Sequence, residues 1–247
     1  MEDQAKVALL QKVVSFNTVN GNERPLAEYL QGVLKAHGID SQLVDFAENR
    51  ACLVAEFGDQ PGKVLALAGH MDTVSVGDPK KWKYSPFSGK IADGAAWGRG
   101  SVDMKGGLTA LIIAAIEMKE AGLPKHGKVK LLISVDEEVG GQGSMLLTKK
   151  GFADDLDAMV MCEASTGELE YAHCGSFDYE IESFGKTAHS SRPDLGVNAV
   201  AKLAQFIDGE RTAFDDAKES PVLGKLIHSV TVFHGGDQLN SIPDYAY

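Results

Sequence analysis

The sequence predicts an α/β fold: a mixed sheet covered by helices on both faces, followed by a smaller α+β domain. Up to about residue 175, short continuous apolar runs alternate with helical patterns, which is typical of strands buried on both faces of a sheet. From residue 176 the segment SFDYEIESFG alternates polar and apolar residues with period two, which is typical of a sheet with one solvated face. These patterns predict two domains, at residues 1–175 and 176–247.

The first domain begins with two predicted helices. Apolar residues at Ala5, Leu9 and Val13 share one face of the first helix. The second helix lies between Asn22, a favourable N-cap, and Gly38, a favourable residue just past a helix end. Three strands are then predicted, at residues 41–44, 52–57 and 64–68.

A long loop and the rest of the sheet follow. Residues 70–90 are rich in Gly, Pro, Asp and Lys and are predicted as a loop, and residues 104–121 are predicted as a long buried helix closed by Gly122 and Pro124. The remaining predicted elements are strands at 129–135 and 158–162 and, in the second domain, a helix at 197–207 and a strand at 229–234.

Charge and composition limit the classes of function. The net charge of −11 at pH 7 argues against non-specific binding to nucleic acid, because such binding needs a basic surface. No stretch approaches the ~20 apolar residues that span a bilayer, and the N-terminus lacks the basic and apolar regions of a signal peptide. Three cysteines without metal-type spacing predict free thiols. We therefore expect a cytoplasmic protein without a nucleic-acid or membrane partner.

Polar side chains follow three of the predicted strands. His70 and Asp72 come after the strand at 64–68, residues 136–138 (Asp-Glu-Glu) after the next, and Glu163 after the third. Asp103 lies in a glycine-rich loop just before the long helix. Ligands of open α/β sheets bind in the crevice outside the carboxyl ends of the strands, so these side chains are expected to share one cleft.

This combination of side chains favours a metal site. Carboxylates gathered in one cleft repel each other unless cations neutralise them. One imidazole with oxygen ligands suits zinc or a similar transition ion. Each motif alone has a plainer interpretation: a surface turn for His70 and Asp72, a solvated helix start for residues 136–138, and a turn residue for Asp103. Their joint occurrence at strand ends favours the metal.

Five segments resemble those of a known enzyme family. They are GHMDTV, GRGSVDMKGG, DEEVGG, CEAS and GKTAHSSRPDLGVNA. The family is that of the co-catalytic zinc metallopeptidases, which includes succinyl-diaminopimelate desuccinylase, acetylornithine deacetylase, aminoacylase and carboxypeptidase G. The resemblance implies a catalytic domain, a lid domain through which two subunits form a homodimer, and two divalent ions, zinc or cobalt.

The resemblance also implies roles for individual residues. The implied metal ligands are His70 and Glu163 on one ion, Asp103 bridging both ions, and Glu138 on the second. Asp72 would accept the free ring N–H of His70 and so orient that ligand. Glu137 would be the general base that takes a proton from water and hands it to the departing amine.

Two further site residues are implied in the lid. His189, in TAHSS, would stabilise the oxyanion and reach the active site of the partner subunit. Its alternative interpretation is an exposed loop residue. Asn240, in LNSIP, would contact substrate, and a turn role before Pro243 is the alternative.

The expected activity is cleavage of the amide bond of an N-acyl amino acid. The wording of the motifs favours N-succinyl-LL-2,6-diaminopimelate as the substrate, with acetylornithine deacetylase, dipeptidase or aminoacylase activity as the alternative. Members of the family carry a late histidine for the second metal and a lid arginine, and neither is found before Tyr247. We therefore expect an incomplete chain, and an inactive fragment that only dimerises is a third interpretation.

Overall fold

The computed structural model describes residues 1–165 and 167–247. The chain divides into two compact units, Met1–Thr166 and Gly167–Tyr247. The boundary predicted from sequence, between residues 175 and 176, lies inside the second unit. The catalytic and lid roles assigned to the two parts of the chain stay predictions.

The first unit contains four α-helices, one short 3₁₀ helix at Pro79–Lys81 and seven strands among its described residues. The α-helices and strands are α1 (Asp3–Ser15), α2 (Arg24–Ala36), β1 (Ser41–Ala47), β2 (Arg50–Gln60), β3 (Val64–His70), β4 (Lys90–Ala92), β5 (Ala95–Trp97), α3 (Lys105–Glu120), β6 (Gly127–Ser134), α4 (Gln142–Lys149) and β7 (Ala158–Met161). None of the helices among the described residues has the length and apolar character needed to cross a bilayer.

Five of these strands form one mixed sheet in the order β1-β2-β6-β3-β7. The β1–β2 and β2–β6 pairs are antiparallel, whereas β3 is parallel to both β6 and β7. This confirms the predicted mixed α/β sheet. The register pairs His70 with Ser134 and Ala68 with Met161, so the three parallel strands end at one edge. The segments that follow them leave that edge side by side.

The core consists of the apolar faces that the sequence patterns predict. Leu9 and Val13 of α1, Leu30 of α2 and Ile112 of α3 are buried against the central strands, whose apolar runs are also buried. Each such side chain contributes about 1.5–3 kcal/mol by leaving water. The core therefore provides a rigid support for the carboxyl edge of the sheet.

Helix α3 packs very closely against the end of β7. A Cβ atom added at Gly107 would lie 1.8 Å from the carbonyl oxygen of Cys162, so only glycine allows this approach. Glu163 follows directly in the chain, and its position therefore depends on the packing of α3.

Strand β7 is an edge strand of the five-stranded sheet. It pairs with β3, and no other strand among the described residues pairs with its second edge. The side chains of Met159, Val160 and Met161 are 45–53% exposed.

Several local predictions for the first unit are wrong. Asn22 is not the N-cap of α2: Glu23 occupies that position, and Asn22 adopts a positive φ of 62° and accepts a hydrogen bond from the Asn49 side chain instead. The β4–β5 hairpin and α4 were not predicted. Strands of three residues are too short to show a period, and α4 follows directly on two glycines.

The second unit contains β8 (Ser183–Phe184), α5 (Ala199–Glu210) and β9 (Tyr245–Ala246). Asn198 caps α5, since its side-chain oxygen accepts a hydrogen bond from the backbone N–H of Ala201. Ala199 and Leu203 of α5 pack against Ala246. The predicted helix is therefore present, and β8 and β9 pair antiparallel beside it.

The prediction of a strand at residues 229–234 is wrong, because these residues form no strand. The alternating segment from residue 176 forms a strand only at β8. A strand needs a neighbour that satisfies its backbone groups, and β8 and β9 offer two paired residues each. His234 exchanges two backbone hydrogen bonds with Tyr247, and the pairing extends no further into 229–234.

Candidate metal centre

His70 is the last residue of β3, and its ring is fully buried. The Nδ1 atom lies 3.0 Å from the backbone oxygen of Asp72 and 3.4 Å from its carboxylate Oδ1. Both neighbours are oxygens that only accept, so Nδ1 carries the hydrogen. The lone pair of the neutral ring is therefore on Nε2, as in a metal-binding histidine whose other nitrogen donates to oxygen.

The Nε2 atom is buried and has no hydrogen-bond partner in the described part of the chain. Three carboxylate oxygens surround it: Asp103 Oδ1 at 3.3 Å, Glu163 Oε1 at 3.6 Å and Glu137 Oε2 at 3.7 Å. A ring lone pair and carboxylate oxygens are all acceptors, so they face one another without a donor between them. A cation resolves this arrangement.

The spacing of these atoms is close to that of the ligand atoms around a divalent ion. Ligand atoms of His70, Asp103 and Glu138 all lie within 4.8 Å of one another. An ion about 2.0–2.2 Å from each ligand atom places such atoms roughly 3–4 Å apart. The carboxylates of Asp103, Glu137 and Glu163 are 40–55% exposed, so the group opens to solvent on the side away from the imidazole.

Asp72 connects the two strand ends. Its carboxylate is fully buried, lies against His70 Nδ1, and accepts a hydrogen bond from the backbone N–H of Glu138 through Oδ2 at 3.0 Å. Burial tends to raise the pKa of Asp72, but the hydrogen bonds from His70 and from Glu138 outweigh it and hold the pKa below its usual value. Asp72 is therefore an anion that orients both residues.

The carboxylates around Nε2 are unfavourable as anions. Burial and the charge of Asp103 raise the pKa of Glu138, and burial also raises the pKa of Glu163. Burial opposes protonation of His70, but the Asp72 carboxylate and the charges of Glu163 and Glu137 raise its pKa to about 9. The cluster thus favours an added positive charge, which a proton on Nε2 supplies when no metal is bound and which a metal ion would supply in its place.

The loop that carries Asp103 is held against β3. The thioether of Met104 lies 3.0 Å from the backbone nitrogen of His70, and Met104 is fully buried. A Cβ atom at Gly69 would lie 2.5 Å from the Met104 Cε, so the glycine leaves the space that this methionine side chain occupies. The packing of Met104 thereby fixes its neighbour Asp103 beside the imidazole.

His189 and Asn240 lie in the second unit. Both are exposed, and they are neighbours because the backbone N–H of Ser190 donates to the carbonyl oxygen of Asn240 at 3.0 Å. The Nδ1 atom of His189 lies 2.8 Å from the hydroxyl of Ser191. Their roles in oxyanion stabilisation and substrate contact stay predictions.

Sequence reasoning missed a buried ion-pair network behind the turn at residues 136–138. Arg50, the first residue of β2, contacts both Glu23 and Asp136. The available signal was a charged residue directly before the apolar run of β2.

A comparison with protein families identifies the family to which these site residues belong. The model of "Peptidase family M20/M25/M40" matches residues 66–225, a span that includes β3, the Asp103 loop, residues 136–138 and Glu163. The chain belongs to the M20/M25/M40 peptidase family. This confirms the predicted family and the class of metallopeptidases and amidohydrolases.

Named relatives of this M20 peptidase extend over the whole chain. The "Probable succinyl-diaminopimelate desuccinylase" of Staphylococcus epidermidis is 36% identical over 271 aligned residues, which cover 100% of this chain and 67% of that protein. The protein of the same name from Staphylococcus aureus strain Mu50 is 34% identical, over 99% of this chain and 67% of that protein. The chain thus spans about two thirds of the length of these relatives.

Solved structures share the fold of this M20 peptidase. The M20 family metallo-carboxypeptidase Sso-CP2 from Sulfolobus solfataricus matches with a TM-score of 0.71 at 19% identity, over 100% of this chain and 70% of that one. The Bacillus subtilis YxeP protein, described as a dinuclear metal-binding peptidase, matches with a TM-score of 0.60 at 16% identity. The match covers 98% of this chain and 62% of that one. At these identities the likeness concerns the fold alone.

Proposed function

We propose that this M20 peptidase is a metal-dependent amidohydrolase that converts N-succinyl-LL-2,6-diaminopimelate to succinate and LL-2,6-diaminopimelate. The observation that carries the proposal is the buried, unpartnered Nε2 of His70, which faces the carboxylates of Asp103, Glu137 and Glu163. The names of the relatives at 34–36% identity support the choice of substrate.

The ions would be held by His70 and by three carboxylates of the same group, those of Asp103, Glu138 and Glu163. His70 and Glu163 would bind one ion, Asp103 would bridge, and Glu138 would bind a second. Zinc or cobalt suits a set of one imidazole and several carboxylates. Bound there, the ions would acidify a water molecule and polarise the amide carbonyl.

The chain's own residues would then move the proton. Glu137 is half exposed, and its Oε2 lies 3.7 Å from His70 Nε2, so its carboxylate lies at the open side of the group. It would accept a proton from the attacking water and return it to the departing amine nitrogen. Asp72 would keep the hydrogen of His70 on Nδ1, because its backbone oxygen accepts there at 3.0 Å and its negative carboxylate lies 3.4 Å from the same nitrogen.

The second unit would act as the lid and dimerisation domain. His189 would stabilise the developing oxyanion in the partner subunit, and Asn240 would contact substrate. Light scattering at micromolar concentration tests the dimer: we expect a mass of two chains, and a monomer alone would contradict this part of the proposal. The free thiols and the biosynthetic substrate favour a cytoplasmic enzyme of lysine and diaminopimelate synthesis.

A panel of substrates tests the activity. The zinc- and cobalt-loaded protein is assayed with N-succinyl-LL-2,6-diaminopimelate, N-acetylornithine, a dipeptide and a simple N-acyl amino acid. Release of succinate with the highest kcat/KM supports the proposed substrate. Preference for another member of the panel would assign the alternative substrate, and no hydrolysis by the metal-loaded chain would favour the non-catalytic interpretation.

A further inference from the structure

We propose that Arg50 is a positioning residue that holds the turn at residues 136–138, and thereby Glu137 and Glu138, in place for catalysis. The inference rests on the proposed function of those two glutamates. It concerns a residue outside the cleft, which acts through Asp136.

Arg50 binds two carboxylates in different directions. Its Nε and Nη2 atoms lie 2.8 and 2.6 Å from the two carboxylate oxygens of Glu23, and its Nη1 lies 2.8 Å from Asp136 Oδ1. The Glu23 side chain is fully buried, and the other two are 16% and 10% exposed. The paired contact with Glu23 fixes the plane of the guanidinium and so aims Nη1 at Asp136.

Asp136 makes the turn in a left-handed backbone conformation. Its φ of 68° lies in a region that Asp and Asn adopt more readily than other residues with a side chain. This conformation turns the chain two residues after the end of β6, and the Asp136 carbonyl oxygen accepts a hydrogen bond from Gly141 at 2.6 Å. The ion pair with Arg50 holds the side chain of the same residue.

The turn is therefore fixed on both sides of Glu137. Arg50 holds Asp136, and the Asp72 carboxylate holds the backbone N–H of Glu138. Glu137 lies between these two anchors, with its carboxylate near His70. Asp136, Glu137 and Glu138 are three consecutive acids, and the positive charge of Arg50 offsets part of their mutual repulsion.

Loss of Arg50 removes one anchor and leaves two buried carboxylates without their partner. The turn then loses its fixed geometry, so Glu138 binds its ion less well and Glu137 is less often aligned with the water. The side chains of this network are largely buried, so we do not expect them to contact substrate. Thus kcat and metal affinity should fall while KM changes little.

The test uses two variants at the network and one control. Arg50→Met keeps an unbranched side chain but removes the charged guanidinium, whose Cζ lies 5.0 Å from the centroid of the Phe46 ring. Asp136→Asn keeps the shape and tolerates the left-handed conformation. The control is Lys130→Met. Lys130 is buried in β6, and its Nζ binds Asp155 at 2.5 Å and the Phe152 carbonyl oxygen at 3.2 Å. Zinc affinity by chelator competition, thermal unfolding, kcat and KM are measured on the full chain.

We expect Arg50→Met and Asp136→Asn to weaken zinc affinity and kcat about 10- to 100-fold, as for other residues that orient metal ligands. Lys130→Met should lower the unfolding temperature but keep wild-type zinc affinity and kcat. If the Arg50→Met variant fails to fold, the zinc affinity and kcat of the Asp136→Asn variant test the positioning role instead. Wild-type zinc affinity and kcat in the network variants would overturn the positioning role alone. A wild-type chain that binds no zinc would overturn the proposed function, and this role with it.

Discussion

The Asp72 carboxylate accepts a hydrogen bond from the backbone N–H of Glu138 at 3.0 Å while it lies 3.4 Å from the Nδ1 of His70. One buried anion thus orients two residues that come from the ends of two different strands.

Asp72→Asn keeps the shape of the side chain but removes the negative charge that favours the Nδ1–H tautomer of His70. We expect zinc affinity to fall about 10- to 100-fold, measured by competition with a chelator. An unchanged affinity would show that the backbone oxygen of residue 72 orients the ring by itself.

Glu137→Gln separates proton transfer from metal binding. The amide cannot accept a proton from water, so we expect turnover to fall by about 10²–10⁴-fold. The zinc content should stay at the wild-type level, because Glu137 is not among the four predicted ligands. Elemental analysis and steady-state kinetics on the same preparation check both statements. Near-normal turnover would exclude Glu137 as the general base.

The two predicted ions should differ in affinity. Among the described residues, the first ion has His70, Asp103 and Glu163 as predicted ligands, whereas the second has Asp103 and Glu138. Two carboxylates leave half of a four-coordinate zinc shell to other donors, so the second ion should bind more weakly. Elemental analysis after dialysis should give one zinc per chain. Two zinc ions retained per chain would mean that an unrecognised residue serves the second site.

Gly107→Ala should displace Glu163 and so weaken zinc binding, although Gly107 is not a predicted metal ligand. Its new Cβ would lie 1.8 Å from the carbonyl oxygen of Cys162, so the end of β7 has to move, and Glu163 with it. We expect a loss of about 1–3 kcal/mol in the free energy of unfolding, together with weaker zinc binding.

The matched control for Gly107→Ala is Gly32→Ala in α2. A Cβ at Gly32 meets nothing within 4 Å, so this change should stabilise the chain by about 0.5–1 kcal/mol. Urea unfolding and zinc titration compare the two variants. Equal stability of both variants would contradict the close packing of α3 on β7.

Cys52 gives a pH-dependent stability. Burial raises the pKa of its thiol to about 11, above the ~8.5 of a thiol in an unfolded chain. The folded state therefore disfavours the thiolate. The stability that this group contributes is fully present below about pH 8.5 and is lost as the pH rises towards 11. The urea midpoint should fall less steeply over this range in Cys52→Ala than in the wild type. Identical slopes would show that the Cys52 thiol titrates equally in both states.

Much of the first unit follows from the sequence because its strands are buried on both faces. Continuous apolar runs located β2, β3, β6 and β7, and the parallel arrangement of β3, β6 and β7 explains why His70, Asp136 and Glu163 leave one edge. These features depend on local pattern plus one general rule about parallel sheets.

What the sequence could not predict depends on distant partners. The alternating residues before β8 have the right period for a strand, but a strand also needs a neighbour, and the pattern says nothing about where that neighbour lies. Arg50 is a similar case. Its partners Glu23 and Asp136 are 27 and 86 residues away in the chain, and no local spacing joins them.

The outer edge of β7 has a consequence for handling the protein. An exposed edge strand offers unpaired backbone donors and acceptors, which can template the addition of a strand from another molecule. Here the edge also displays Met159, Val160 and Met161, and it lacks the charges or prolines that natural edges use to prevent such pairing. We therefore expect this edge to be a site of self-association despite the large negative charge of the chain. Self-association that grows with concentration should begin there.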